Sequence, residues 1–122
     1  MMLPTDQQRF WETIDTLVVS SRIVIDRPRQ TPHPRFPDLI YPLDYGYLDG
    51  TTAGDGDGID VWIGSEPDAG VTAIACTADI IKRDAEIKVL LGCDAGEQAT
   101  ISHFLNVVAD LPCIILVRNR ET

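Results

Sequence analysis

The chain has 122 residues, 44% of them apolar and 24% charged, enough for one hydrophobic core and too apolar for a disordered polypeptide. A net charge of -9 argues against nucleic acid or an anionic membrane surface as partner, and an anionic substrate would be repelled unless cations bridged it to the protein. No apolar run spans a bilayer and the N-terminus lacks a signal-peptide pattern, so a single cytoplasmic domain over residues 1–122 is expected.

In chain order, Thr5-Asp6-Gln7-Gln8 has the form of a capping box, and Phe10, Ile14 and Leu17 follow at helical spacing, which predicts an N-terminal amphipathic helix. Leu17 to Ile25 reads as a strand ending at Asp26. Pro28, Pro32, Pro34, Pro37 and Pro42 then forbid regular structure and predict an extended, pinned loop. Tyr45–Leu48, Ile59–Ile63, Val71–Ile81 and Glu86–Cys93 read as strands, with turns at Glu66–Gly70 and Lys82–Asp84. Glu97–Leu111 carries Ile101, Phe104, Leu105 and Val108 on one face and predicts a second helix, stopped by Pro112 before a strand at Cys113–Val117. Short strands with only two helices predict a mainly β, α+β fold, a small barrel with peripheral helices. Cys76, Cys93 and Cys113 are widely spaced without a C-x-x-C pair and read as buried free thiols.

The segment Asp55-Gly56-Asp57-Gly58-Ile59-Asp60 concentrates carboxylates immediately before the apolar run Val61-Trp62-Ile63. Hard divalent cations need several converging oxygen ligands. Asp55 and Asp57 share one face of an extended chain and Asp60 the other, so convergence requires a turn, for which Gly58 is placed. A solvated acidic hairpin loop has the same residue types. An EF-hand fits less well, because Asp60 stands where that loop needs glycine.

Two segments resemble the soluble family I inorganic pyrophosphatases. Tyr41-Pro42-Leu43-Asp44-Tyr45-Gly46-Tyr47-Leu48 is similar to that family's Y-P-x-N-Y-G-[FY]-I segment, and Asp55 to Val61 to its D-x-D-[PE]-hydrophobic-D-hydrophobic signature. Glu86-Ile87-Lys88-Val89 and Ser102-His103-Phe104-Leu105 are weaker likenesses. The resemblance implies an OB-like five-stranded β-barrel with two peripheral helices, and hydrolysis of pyrophosphate to two phosphates with several Mg²⁺ ions, or Mn²⁺ or another divalent ion. By that resemblance Asp55 and Asp60 are metal ligands, and Asp57 takes the proton of the attacking water. Tyr45 binds phosphate as a second catalytic group and Tyr41 lines the same wall. Glu86, Asp84 and Asp26 stand at further metal positions, and Lys88 and Arg35 at substrate positions. Pyrophosphate or another small phosphate compound is the implied partner, with no nucleic acid and no membrane, and a homo-oligomer is expected.

The chain also departs from that pattern. A β-hairpin carrying a phosphate-gripping Arg is deleted, and Val107-Val108-Ala109 occupies the place of a Tyr-Lys pair. Asp44 replaces an Asn and Gly58 a Pro or Glu. The metal half of the implied site is kept and its phosphate half is thinned. A non-catalytic or retargeted relative, binding a divalent metal or acting on another phosphate compound, is therefore the alternative expectation.

Overall fold

The computed structural model describes residues 3–120. Helix α1 spans Asp6–Val19 and starts at the predicted capping box, with Thr5 Oγ1 accepting from the Gln8 amide at 3.1 Å and Gln8 Oε1 from the Thr5 amide at 2.7 Å. It runs further than predicted. Leu17–Val19, read from sequence as the start of a strand, form its last turn, because Val18 completes the buried stripe begun by Trp11 and Ile14. Strand β1 (Ile23–Arg27) follows, then β2 (Asp44–Leu48), β3 (Ile59–Ile63), β4 (Val71–Asp79) and β5 (Asp84–Leu91).

Helix α2 covers Ala95–His103, starting earlier and ending sooner than predicted. Asp94 and Glu97 make its capping box, and the Glu97 carboxylate also accepts from the Ser65 amide at 2.9 Å. Its predicted C-terminal half is a π-helical turn, Phe104–Val108, with the Ala109 amide bonded to the Phe104 carbonyl at 2.8 Å. That wider turn keeps Phe104 and Leu105 buried while delivering the chain to β6 (Cys113–Val117).

The sheet has six strands in the order β1-β2-β3-β5-β4-β6, with β3 and β5 parallel and the other pairs antiparallel. The mixed α+β class with two helices holds, but the expected five-stranded barrel does not form. β6 lies along β4 from Ala73↔Val117 to Thr77↔Cys113 and takes the edge that closure would require, so β1 and β6 remain open edges.

Both faces are covered. Against one, α1 packs Trp11, Ile14 and Val18 on Leu48, Val61, Ile74 and Val89. On the other, Trp62 is fully buried between Tyr41, Tyr45 and Phe104, with ring centroids 4.6–5.8 Å apart. This two-sided burial is why β4 and β5 read as apolar runs rather than alternating strands. The Pro-rich segment closes over the second face, held by Gln30 N–H to the Tyr41 carbonyl at 2.8 Å, Tyr41 N–H to the Thr31 carbonyl at 3.0 Å and Arg29 N–H to Asp44 Oδ1 at 2.8 Å. Among the described residues no helix is long and apolar enough to cross a membrane.

Candidate active site

Strand register places the site. On β3, Asp60 and Trp62 point to the α2 side of the sheet. Tyr45 lies opposite Trp62 and Tyr47 opposite Asp60 on β2. The parallel β3–β5 register, Val61↔Val89 and Trp62↔Leu90, sets Lys88 beside Asp60, with Glu86 two residues earlier and on the same face. Lys88 is 6% exposed. Its Nζ donates to Asp60 Oδ2 at 2.7 Å and to the Tyr45 hydroxyl at 2.9 Å, and stands 3.6 Å from Glu86 Oε2.

The Asp loop closes on this group from the solvent side. Ala53 N–H bonds the Asp57 carbonyl at 2.6 Å, Asp57 N–H bonds Asp55 Oδ1 at 3.0 Å, and Thr51 Oγ1 accepts from Ile59 N–H at 2.9 Å. The glycine in the left-handed region is Gly56, at φ 89, rather than Gly58. Gly58 is constrained by space: a Cβ there would stand 3.0 Å from the Leu48 carbonyl and the Tyr47 ring. The turn brings the Asp55 carboxylate into a hydrogen bond with Glu86.

That contact sets the protonation of the cluster. Burial, the hydrogen bond with Asp55 and the charges of Asp55 and Asp60 push Glu86 up to about 7, against an opposing pull from Lys88. Asp55 is held below its ordinary value by the same hydrogen bond and by the Asp57 amide. Glu86 thus carries the shared proton and Asp55 the charge. Burial, then the charge of Asp60 and a hydrogen bond to it, hold Tyr45 well above 10, so its hydroxyl stays protonated and donates to Asp60 while accepting from Lys88.

Asp55, Asp60, Glu86, Lys88 and Tyr45 are therefore brought into one network from β2, β3, β5 and the Asp loop. Tyr41 joins its wall, 8% exposed and 5.3 Å from the Tyr45 ring, with burial raising its hydroxyl. The remaining predicted residues sit apart from this network. Asp57 is exposed at the loop tip, its carboxylate making no hydrogen bond among the described residues. Asp84 shares the Glu86 face but stands at the β4–β5 hairpin opposite Asp79. Asp26 is the bulged residue of β1, between Ile25↔Gly46 and Arg27↔Tyr45, paired with Arg27 at 3.4 Å. Arg35 is exposed in the Pro-rich loop, and among the described residues only its backbone amide is hydrogen-bonded, to His33 Nδ1.

Comparison of the chain with family models, with curated proteins and with solved structures finds no match. The geometry thus stands by itself, and it adds two residues that sequence reasoning missed. Arg27 lies opposite Tyr45, and its charge draws on the Tyr41 hydroxyl, with its Nε buried and unpartnered among the described residues. Tyr47 lies opposite Asp60, under Gly58. The sequence signal for Tyr47 was its even spacing from Tyr45. Arg27 had none, because the bulge at Asp26 shifts its register. Among the described residues no group of three or more His, Cys, Asp or Glu is gathered tightly enough to hold a metal ion.

Proposed function

We propose that this network is a divalent-metal phosphohydrolase site and that inorganic pyrophosphate is its substrate. The observation that carries the reading is the convergence of Asp55, Asp60, Glu86, Lys88 and Tyr45, distant in sequence, on one wall beside the Asp loop. The donor type suits Mg²⁺ or Mn²⁺, since carboxylate oxygens suit hard cations, and the carboxylates would have to draw closer together than they stand here to hold one. Asp55 and Glu86 are close enough to share a hydrogen bond, hence to share an ion once the Glu86 proton is lost, with Asp60 next to them across Lys88. Bound metal would supply charge neutralisation for the anion and a more acidic water.

The chain's own residues do the rest. Asp57, with its carboxylate unengaged at the loop tip, accepts the water's proton. Lys88, held by the Tyr45 hydroxyl, presents the donor to a phosphate oxygen, and Arg27 backs it from β1, supplying a cation where Arg35 stands apart. In this reading β1 to β5 are an OB-like unit left open because β6 occupies its closing edge.

One observation favours the alternative, metal binding without turnover. Lys88 is already neutralised by Asp60 at 2.7 Å, so the site holds little spare positive charge for a phosphate. Phosphate release from pyrophosphate with Mg²⁺, alongside Mg²⁺ titration calorimetry, separates the readings. Turnover abolished in Asp57→Asn supports the hydrolase. Mg²⁺ binding lost in Asp60→Asn, without turnover in the wild type, supports the alternative. Absence of both overturns the metal site itself.

A further inference from the structure

The two open edges of the sheet are built differently. β1 carries a bulge and the charged pair Asp26 and Arg27, features that keep an edge from pairing with another chain. β6 has no such protection. It reads Cys-Ile-Ile-Leu-Val with no charge, proline or bulge, and Ile114, Leu116 and Val117 are 62%, 48% and 62% exposed.

The backbone pattern fixes what this edge offers. Ala78 N–H bonds the Pro112 carbonyl at 3.0 Å and Arg118 N–H bonds the Thr72 carbonyl at 2.9 Å. In an antiparallel ladder the bonded pairs alternate, so Ile114 and Leu116 also face β4, and Cys113, Ile115 and Val117 aim N–H and C=O outward. Cys113 is already satisfied: the Asn106 side-chain amide accepts from its N–H at 2.9 Å and donates to its carbonyl at 3.2 Å. Among the described residues nothing bonds the outward groups of Ile115 and Val117.

We infer that β6 is a self-pairing edge, and that two copies of this chain associate through it as an antiparallel β6–β6 dimer. Only one symmetric register respects the constraint set by Asn106 and satisfies both residues from within Cys113–Val117. With the two-fold axis at Leu116, Ile115 of one copy lies opposite Val117 of the other, and every outward N–H and C=O of both residues finds a partner. Centring on Ile115 instead would oppose Val117 to Cys113, whose groups Asn106 holds. At the axis, Leu116 faces Leu116 of the second copy in a non-hydrogen-bonded pair, the closer of the two pair types. This is isologous, the commonest symmetry of soluble oligomers. Charge favours the same face. Copies carrying -9 each repel at most approaches, and β6 is a strand without an acid.

The test is molar mass by light scattering at micromolar protein, with three variants. Wild type is expected at twice 13.5 kDa. Leu116→Lys sets like charges together at the axis, and Ile115→Pro deletes an N–H that β4 does not use; both are expected as monomers with unchanged far-ultraviolet circular dichroism. Leu116→Cys reads the register, since opposed Cβ atoms about 4.5–5.5 Å apart lie near disulfide reach. It should cross-link under mild oxidant, while wild type, with Cys76, Cys93 and Cys113, does not. A monomeric wild type, a dimer that survives both edge variants, or no Leu116→Cys cross-link overturns the inference.

Discussion

Lys88 stays in a buried strand because each of its contacts is an acceptor: Asp60, Tyr45 and, further off, Glu86. Removing one member of such a pair strands the other, and for fully buried pairs that costs about 3–5 kcal/mol. The Asp60 side chain is 26% exposed, so water relieves part of the loss. Lys88→Met is expected to destabilise by about 2–3 kcal/mol in urea unfolding, and Lys88→Met with Asp60→Asn to recover at least half of it. A double-variant loss equal to the sum of the Lys88→Met and Asp60→Asn losses would show that the pair is not coupled. Glu86 gives the pH signature. Its folded value of about 7 lies above the 4.5 of a free glutamate, so the folded state binds the extra proton between the two. The resulting stability is full below about pH 4.5 and is lost as pH rises through about 7. In EDTA the wild type is expected to lose stability from about pH 5 to about pH 8. Glu86→Gln keeps a donor for Asp55 and is expected to flatten that slope. An unchanged slope in the variant would place the titration elsewhere.

At the level of elements, the tightest constraint is Gly46 on β2. A Cβ there would lie 1.8 Å from the Val24 carbonyl oxygen and 2.9 Å from the Ile25 Cα, backbone atoms that cannot step aside without breaking the β1–β2 ladder. Gly46→Ala is expected to cost more than about 3 kcal/mol, beyond ordinary overpacking, read as a fall in urea midpoint or loss of soluble protein. Near-wild-type stability would mean that β1 moves freely. All six strands and both helices announce themselves in the sequence, because capping boxes, prolines and apolar runs are local signals. What was not legible depends on distant partners. The end of α1 was misplaced because Leu17–Val19 suits a strand as well as a helix, and burial against β3 and β4 decides. The π turn after His103 cannot be read from Phe104–Val108, since Asn106 stabilises the chain through Cys113 across the turn. The open sheet follows from β6 choosing β4, a pairing no local pattern encodes. Within the candidate site, Asp55 and Asp60 were legible from motif spacing, and Lys88 only from the resemblance. Arg27 was not, since a one-residue bulge reassigns its face.

The molecule as a whole is over-charged for its size, at -9 with a pI near 4.4. Self-repulsion of that kind is screened by any salt, whereas a site is satisfied only by its own ion, and the two are separable by experiment. Raising NaCl from about 10 to about 150 mM shortens the Debye length from roughly 30 to 8 Å, and is expected to raise the thermal midpoint of wild type and Asp60→Asn alike. Replacing NaCl by MgCl₂ at constant ionic strength leaves screening nearly fixed. Any further gain is then binding linkage, about 1.4 kcal/mol when the ion is at ten times its dissociation constant. That second increment is expected in wild type and absent in Asp60→Asn. It should also grow from about pH 6 to about pH 8, as the Glu86 proton that competes with the ion is lost. A magnesium increment of the same size in both proteins would reduce the cluster to ordinary surface charge. An increment confined to wild type and rising with pH would tie the cation to the Asp55–Glu86 pair.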